Sequence, residues 1–445
     1  MSYLIRNAQV INEGKTTVND VLIRGERIER IDPSFSVNYK VEEIDAKGKF
    51  LMPGIIDDQV HFREPGLTHK ATIYTEAKAG IAGGVTTFME MPNTNPPAVT
   101  IELLEQKYEI ASRTSLANYS FFMGTNHNNF DELMKVDKHK VCGIKIFMGS
   151  STGDMLVDDP NILERIFAER NDILIATHCE DDRLVKERTQ LYLEKYGENI
   201  PFECHAEIRN EQVCLNSSTL AFELAKKHNT RLHILHISTA DELSLFTNDK
   251  PLSEKRITSE VCVHHLWFSK NDYEKLGSKI KCNPAIKDAH HKTELFKALL
   301  DDRLDIIATD HAPHTIAEKN NPYTKAPSGL PLLQHSLNMM LEFYHDGNIT
   351  LEKIIEKMCH APAICFQIKE RGYLREGYFA DAVLFDTTSE WKVLPENILY
   401  KCGWSPLENH TFSGKVHTTF VNGNIVYNNS TFIEHIKGKR IEFER

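Results

Sequence analysis

The chain is poor in the features that would take it out of the soluble globular class. Its nine cysteines stand singly at 142, 179, 204, 214, 262, 282, 359, 365 and 402, with no CxxC pair and an odd total. That excludes a simple disulfide framework and fits a reduced, cytoplasmic setting. No window holds 18 successive apolar residues, and Arg6 and Asn7 interrupt the opening stretch where a secretion signal needs its apolar core, so neither membrane spanning nor export is expected. Basic charge is scarce as well. The 52 Lys and Arg face 63 Asp and Glu, a net charge of −11, and no stretch gathers the cationic face that phosphate backbones require, so no nucleic-acid partner is expected. Low-complexity tracts and short repeats are absent, and 41% hydrophobic with 26% charged residues excludes disordered and collagen-like classes. What is abundant is histidine, at 21 copies, several of them just after apolar runs.

At 445 residues the length suggests two or three domains, although one α/β barrel absorbs roughly 250 residues alone. Residues 1–52 alternate apolar and polar with turn signals at Asn12-Glu13-Gly14 and Arg24-Gly25-Glu26, the pattern of short antiparallel strands. Residues 368–445 do the same around the turn Asn422-Gly423-Asn424. Between them, residues 53–367 repeat apolar strand, polar loop and amphipathic helix. The strands are expected at Val85–Met89, Tyr119–Met123, Gly143–Phe147, Ile173–Ala176, Leu232–Leu235, Ile257–Val263 and Asp305–Ala308, and the helices include Glu207–Lys227 and Leu351–Cys359. Such alternation predicts a parallel sheet buried on both faces, closed as a (β/α)8 barrel or left open and doubly wound. The β-rich ends then combine in one small sandwich.

Barrel enzymes place their reactive groups where strands end. Polar residues that terminate apolar runs here are His61 after Gln59-Val60, His178 after Ile173–Thr177, His236 after Leu232–Leu235, and Asp310 after Asp305–Thr309, while Lys145 interrupts the run Gly143–Phe147. Taken singly, each His can be a hydrogen-bonded structural residue, Asp310 a helix cap and Lys145 a snorkelling side chain. Taken jointly, five strand ends in order around one rim supply nitrogen and oxygen ligands suited to Zn2+. If desolvation depresses the pKa of Lys145, its neutral amine can take up CO2 as a carbamate, an anion able to bridge two ions. Arg63 lies two residues after His61, so on a strand it shares that face, and its fork suits a carboxylate.

The stretches Val60-His61-Phe62-Arg63-Glu64-Pro65-Gly66, Gly83-Gly84-Val85-Thr86-Thr87, Met91-Pro92-Asn93-Thr94, Gly143-Ile144-Lys145, Glu260 to Leu266, Asn283-Pro284 and Thr309 to His314 resemble the amidohydrolase superfamily, and within it the long-chain dihydroorotases. The resemblance extends to Gly377–Asp381 and Val421-Asn422-Gly423 in the sandwich. It implies zinc-dependent, reversible cyclisation of N-carbamoyl-L-aspartate to (S)-dihydroorotate and water, a step of pyrimidine synthesis. Asp310 is then the proton-transfer group as well as a ligand, with His61, Lys145, His178 and His236, around one or two Zn2+ ions. The same resemblance assigns Arg63, Asn93 and His314 to the substrate carboxylate, Asn283 to the pyrimidine edge and backbone near Gly329 to the ring; separately, a helical surface with scattered apolar residues permits the homodimer that is expected. The chain departs from the pattern at one position, where Gln59 replaces the first histidine of His-x-His. Gln59 either ligates through its weaker amide oxygen, or leaves that site half empty, or marks a non-catalytic homologue that scaffolds an aspartate carbamoyltransferase. Allantoinase is the neighbouring enzyme reading, against which the pair His264-His265 argues. The segments Gly149–Asp154 and Thr315–Pro331 are either lids over the rim or surface excursions.

Overall fold

A computed structural model describes residues 2–149 and 154–445. Eight parallel strands form the central barrel: Ile55–Val60, Val85–Glu90, Asn118–Phe121 continued by Met123–Gly124, Ile144–Phe147, Ile175–His178, Leu232–Ile234, Ile257–Cys262 and Ile306–Ala308. The order is sequential throughout. The eighth strand meets the first through a parallel bridge between Val60 and His311, with His61 N–H donating to the His311 carbonyl at 2.7 Å. A side chain reinforces this seam, because Asp57 Oδ2 accepts from Thr309 Oγ1 at 2.6 Å. The closed barrel, rather than the open doubly wound sheet, is therefore the fold.

Residues alternate as a buried parallel strand requires. Ile144 and Ile146 pack outward under the helices, while Ile56, Met89, Leu174 and Ala176 fill the interior. The first strand breaks this alternation with a bulge between Asp57 and Val60, so that Asp58 meets His233 inside the barrel while the next residue, Gln59, lines the cavity at the mouth. A bulge is the device that re-aims side chains at a barrel rim.

The chain ends join as one nine-stranded sheet, with Phe50–Pro53 pairing antiparallel to Ala382–Lys392 and parallel to Ser2–Asn12. Three ladder steps, about 14 Å along the sheet, separate Ser2–Asn12 from Thr411–Val421. The rings of Tyr3 and Phe420 on these strands are nevertheless 5.7 Å apart, so the sheet folds back over its own core of Ile5, Val21, Ile23, Leu384 and Phe420. The last residues leave this sheet. Ile441 and Phe443 enter the apolar cluster inside the barrel, and Arg445 donates to the carbonyls of Val141 and Phe366. Residues 438–445 thus close the N-terminal end of the barrel and leave the C-terminal end as the open mouth.

Two expected helices differ in the structure. The stretch Glu207–Lys227 is divided into His205–Ile208 and Glu211–His228, because the Asn210 side chain accepts from Val213 N–H and starts a new helix there. Leu351–Ile355 continues as the wider turn Glu356–His360 before Ala361–Phe366. Among the described residues, no helix is long and apolar enough to cross a membrane.

Candidate active site at the barrel mouth

A cavity of about 270 Å3 opens at the C-terminal end of the barrel, and all eleven residues singled out in the sequence line it: Gln59, His61, Arg63, Asn93, Lys145, His178, His236, Asn283, Asp310, His314 and Gly329. Lys70, Phe147 and Ser328 join them. Arg63, His236 and Asp310 have φ of 66°, 40° and 45°, a left-handed backbone that costs a non-glycine residue of order 1 kcal/mol or more. That turn just beyond a strand end swings each side chain over the mouth.

The histidines are fixed by partners on their far nitrogens. His178 Nε2 faces Glu180 Oε2 at 2.9 Å, and its Nδ1 lies 2.8 Å from His236 Nε2. Since a carboxylate only accepts, Nε2 of His178 is the protonated nitrogen and Nδ1 offers its lone pair to the cavity. His61 follows the same logic, with Nδ1 donating to Asn93 Oδ1 at 2.7 Å and Nε2 placed 3.1 Å from Asp310 Oδ1. Asn93 thus orients a histidine, an arrangement additional to its expected contact with substrate. Glu180 in turn pairs with Arg209 at 2.5 Å, and Arg209 arrives there because the helix breaks at Asn210. Burial pushes both rings below the ordinary histidine range, while Glu180 and Asp310 oppose the shift. His236 falls well below, through burial and the neighbouring His178 and Lys145. Neutral imidazoles are the form that binds metal.

Lys145 is 1% exposed. Burial depresses its pKa to about 7, with Asp310 and Glu260 opposing through space, and its ammonium sits 4.6 Å from the centre of the Phe147 ring. Burial raises the Asp310 carboxyl, but the hydrogen bond to His61 and the charges of His61, His264 and His178 outweigh it and hold the group below its usual range. Gln59 Oε1 is 3.6 Å from the Cys262 thiol, which donates to it.

The opposite wall is cationic. Arg63 Nε donates to the Pro313 carbonyl at 3.1 Å, and Nη2 lies 3.0 Å from His314 Nε2. Lys70 Nζ lies 3.0 Å from His314 Nδ1. An ammonium has only donors, so Nδ1 accepts and Nε2 carries the hydrogen that faces Ser328 O at 3.0 Å. Arg63 Nη2 is then a donor beside another donor. No carboxylate among the described residues forms an ion pair with this buried guanidinium, whose pKa burial lowers to about 10. Lys70 is paired with Glu318 at 2.9 Å, whereas Asp310, Glu90 and Glu318 reach Arg63 only through space.

Asn283 Oδ1 lies 3.2 Å from His205 Nε2, and His205 Nδ1 meets Tyr323. Gly329 has φ 136°, and a Cβ there would come 2.5 Å from Ala312 O, so the close approach requires glycine. Both of its backbone polar groups already have partners, the N–H on Lys281 O and the carbonyl on Lys319 Nζ. Its contribution to the cavity is therefore wall rather than donor. The segment Thr315–Pro331 is pinned through the same contacts, since Lys319 Nζ donates to the carbonyls of Lys281, Pro327 and Gly329, and Lys281 Nζ to those of Tyr323 and Ala326. Ser150–Gly153, the centre of the other expected lid, lie outside the described residues.

Glu180, Arg209 and Lys70 were not foreseen in the sequence. Glu180 lies two residues after His178, within a run whose next residue, Asp181, caps a helix, so its acidity reads locally as helix-start chemistry.

Residues 50–426 match the model of the amidohydrolase family. A dihydroorotase from Pyrococcus abyssi is 34% identical over 400 residues, covering 89% of this chain and 88% of the relative. A dihydroorotase from Listeria monocytogenes is 33% identical over 436 residues, covering 96% and 99%. Among solved structures, L-hydantoinase from Arthrobacter aurescens superposes with a TM-score of 0.92 at 23% identity, covering 99% of both chains.

Proposed function

Because the chain belongs to the amidohydrolase family, as a cyclic-amide hydrolase, we propose that it is a dihydroorotase that interconverts N-carbamoyl-L-aspartate and (S)-dihydroorotate. The observation that supports this most is the unpaired Arg63 guanidinium, backed by Lys70 and His314, on the wall facing the ligand set. Dihydroorotate differs from hydantoins and dihydropyrimidines by a ring carboxylate, and a buried arginine without a counter-ion is the group to receive it bidentately. The likeness to hydantoinase is a likeness of fold.

The donor set suits one or two divalent ions: His178 Nδ1 and His236 Nε2 lie 2.8 Å apart, His61 Nε2 lies 3.1 Å from Asp310 Oδ1, and the buried Lys145 amine lines the same cavity. His61, His178, His236, Asp310 and Lys145 are the proposed ligands, with Lys145 as its carbamate, which its depressed pKa favours by populating the neutral amine. When bound, zinc supplies Lewis-acid polarisation of the ring carbonyl and acidifies water. Arg63 and the Asn93 amide nitrogen hold the substrate carboxylate and fix which face of the ring meets the ligand set. Asn283 faces the ring edge. Asp310, ionised at neutral pH, accepts a proton from the attacking water and delivers it to the leaving ring nitrogen, so one carboxylate serves both transfers.

The deciding experiment is an ultraviolet assay of ring opening with dihydroorotate, allantoin, hydantoin and dihydrouracil on metal-loaded protein. Preference for dihydroorotate supports the proposal. Turnover of the neutral rings with no carboxylate preference would replace it with a hydantoinase-type reading, and metal-loaded protein inert to all four would favour a scaffold role beside aspartate carbamoyltransferase.

A further inference from the structure

Two buried clusters beside the cavity bring possible metal-binding atoms within 4.8 Å of one another: Asp58, His233 and Glu260, and Cys262, His264 and His265. In the first, the histidine is engaged on both ring nitrogens: His233 Nδ1 meets Thr258 Oγ1 at 2.8 Å, and Nε2 lies 3.2 Å from Glu260 and 3.3 Å from Asp58, so it has no nitrogen left to offer.

The second is not satisfied. His264 is fully buried, and neither ring nitrogen has a hydrogen-bond partner. His265 is 4% exposed, and its Nε2 lies 3.2 Å from the Pro284 carbonyl. A carbonyl only accepts, so Nε2 carries the hydrogen and Nδ1 is left with a bare lone pair, also without a partner. An unprotonated nitrogen with the opposite N–H anchored on a carbonyl is the arrangement that metal-binding histidines adopt. A fourth donor is at hand, since Gln59 Oε1 lies 3.6 Å from Cys262 Sγ. Tetrahedral zinc with Zn–S of about 2.3 Å and Zn–O of about 2.1 Å separates its sulfur and oxygen ligands by roughly 3.6 Å.

We infer that Cys262, His264 and His265 form a zinc site of their own next to the cavity ligand set, with the Gln59 amide oxygen as fourth donor. On binding, the thiol proton is released to solvent and the S–H to Gln59 hydrogen bond is exchanged for sulfur and oxygen bonds to the ion. The inference does not depend on the substrate proposed above. It also gives Gln59 a soft, thiolate-containing site in place of a weak position in the cavity.

The test is cobalt substitution of the full chain after removal of metal by a chelator. None of the residues lining the cavity is a cysteine, so only a thiolate site yields the near-ultraviolet sulfur-to-cobalt charge-transfer band. The band is expected to titrate to one equivalent per chain, to vanish in Cys262→Ser, to weaken in His265→Gln and to persist in Lys145→Ala. Cobalt-loaded wild type without the band, or a band unchanged in Cys262→Ser, overturns the site. Loss of the band in Lys145→Ala also overturns it, by assigning the thiolate to the cavity centre. If Cys262→Ser does not fold, the wild-type spectrum and His265→Gln decide the question in the same terms.

Discussion

The barrel mouth and the joint between barrel and terminal sheet both bury arginine, and they treat it in opposite ways. At the joint, Arg371 is 3% exposed and pairs with Asp381 through a very short contact, while its other amine donates to Asn422 Oδ1 at 2.9 Å. Asp381 also accepts from Asn422 N–H at 2.7 Å and Asn118 Nδ2 at 3.1 Å, and Asn422 Nδ2 closes the ring onto Asn118 Oδ1 at 2.8 Å. Charge and hydrogen bonds balance within the chain. At the mouth, Arg63 has a carbonyl and a histidine in hydrogen-bond contact, and among the described residues neither it nor Lys145 has a carboxylate at that distance. A buried charge completed by its own chain holds elements together, whereas one left incomplete is a request for a ligand.

The largest test of this contrast is Asp310→Asn. The amide keeps the size of the side chain and loses the proton acceptor, so turnover of dihydroorotate is expected to fall by roughly 10² to 10⁴ with circular dichroism unchanged. An active Asp310→Asn would remove the proton-transfer role from this residue. Next comes Arg63→Ala, for which kcat/KM with dihydroorotate is expected to drop by roughly two to three orders of magnitude, the consequence of leaving a buried carboxylate unpaired. Metal content should hold. Equal losses with dihydroorotate and with a ring lacking the carboxylate would show that Arg63 supports the wall rather than the substrate. Smaller again is Glu180→Gln. Removing the carboxylate behind His178 is expected to weaken metal binding about 10- to 100-fold, measured by chelator competition, and an unchanged affinity would detach Glu180 from the ligand set.

The mouth half of this contrast was legible in the sequence. Seven of the eight barrel strands were expected from short runs, the first, Ile55–Val60, being broken by Asp57, Asp58 and Gln59, and the polar residues that follow such runs belong at the rim, which is why His61, His178, His236 and Asp310 could be grouped from sequence. Lys145 stood out because an ammonium inside an apolar strand is costly wherever it goes. What escaped were residues whose role depends on distant partners. Lys70 reaches His314 and Arg209 reaches Glu180 only once loops are folded, and nothing in their local pattern distinguishes them from surface cations. The helix break at Asn210 was missed for a related reason. Apolar periodicity runs through it, and only the capping geometry divides the two helices. Residues 438–445 likewise read as a polar continuation of the sheet, because Ile441 and Phe443 are too isolated in sequence to advertise a buried destination.

The other arm of the comparison predicts the smallest effect on catalysis and a large one on stability. Arg371→Ala strands the Asp381 carboxylate in an interior where only asparagine amides and a backbone N–H remain to meet its charge. Breaking one half of a buried pair costs about 3–5 kcal/mol, so the midpoint of urea unfolding is expected to fall well below that of the wild type. The cavity does not share these contacts: Asn118 belongs to the third strand, but its side chain serves the joint and none of the mouth residues hydrogen-bonds to the network. Turnover per folded molecule is therefore expected to stay within about twofold of wild type, the scale of a substitution with no part in transition-state binding. A destabilised protein with normal kcat and KM keeps the two arginines in separate roles. If kcat fell along with stability, the joint would have to be transmitting its geometry to the mouth, and the division between self-completed charge and ligand-seeking charge would no longer describe this molecule.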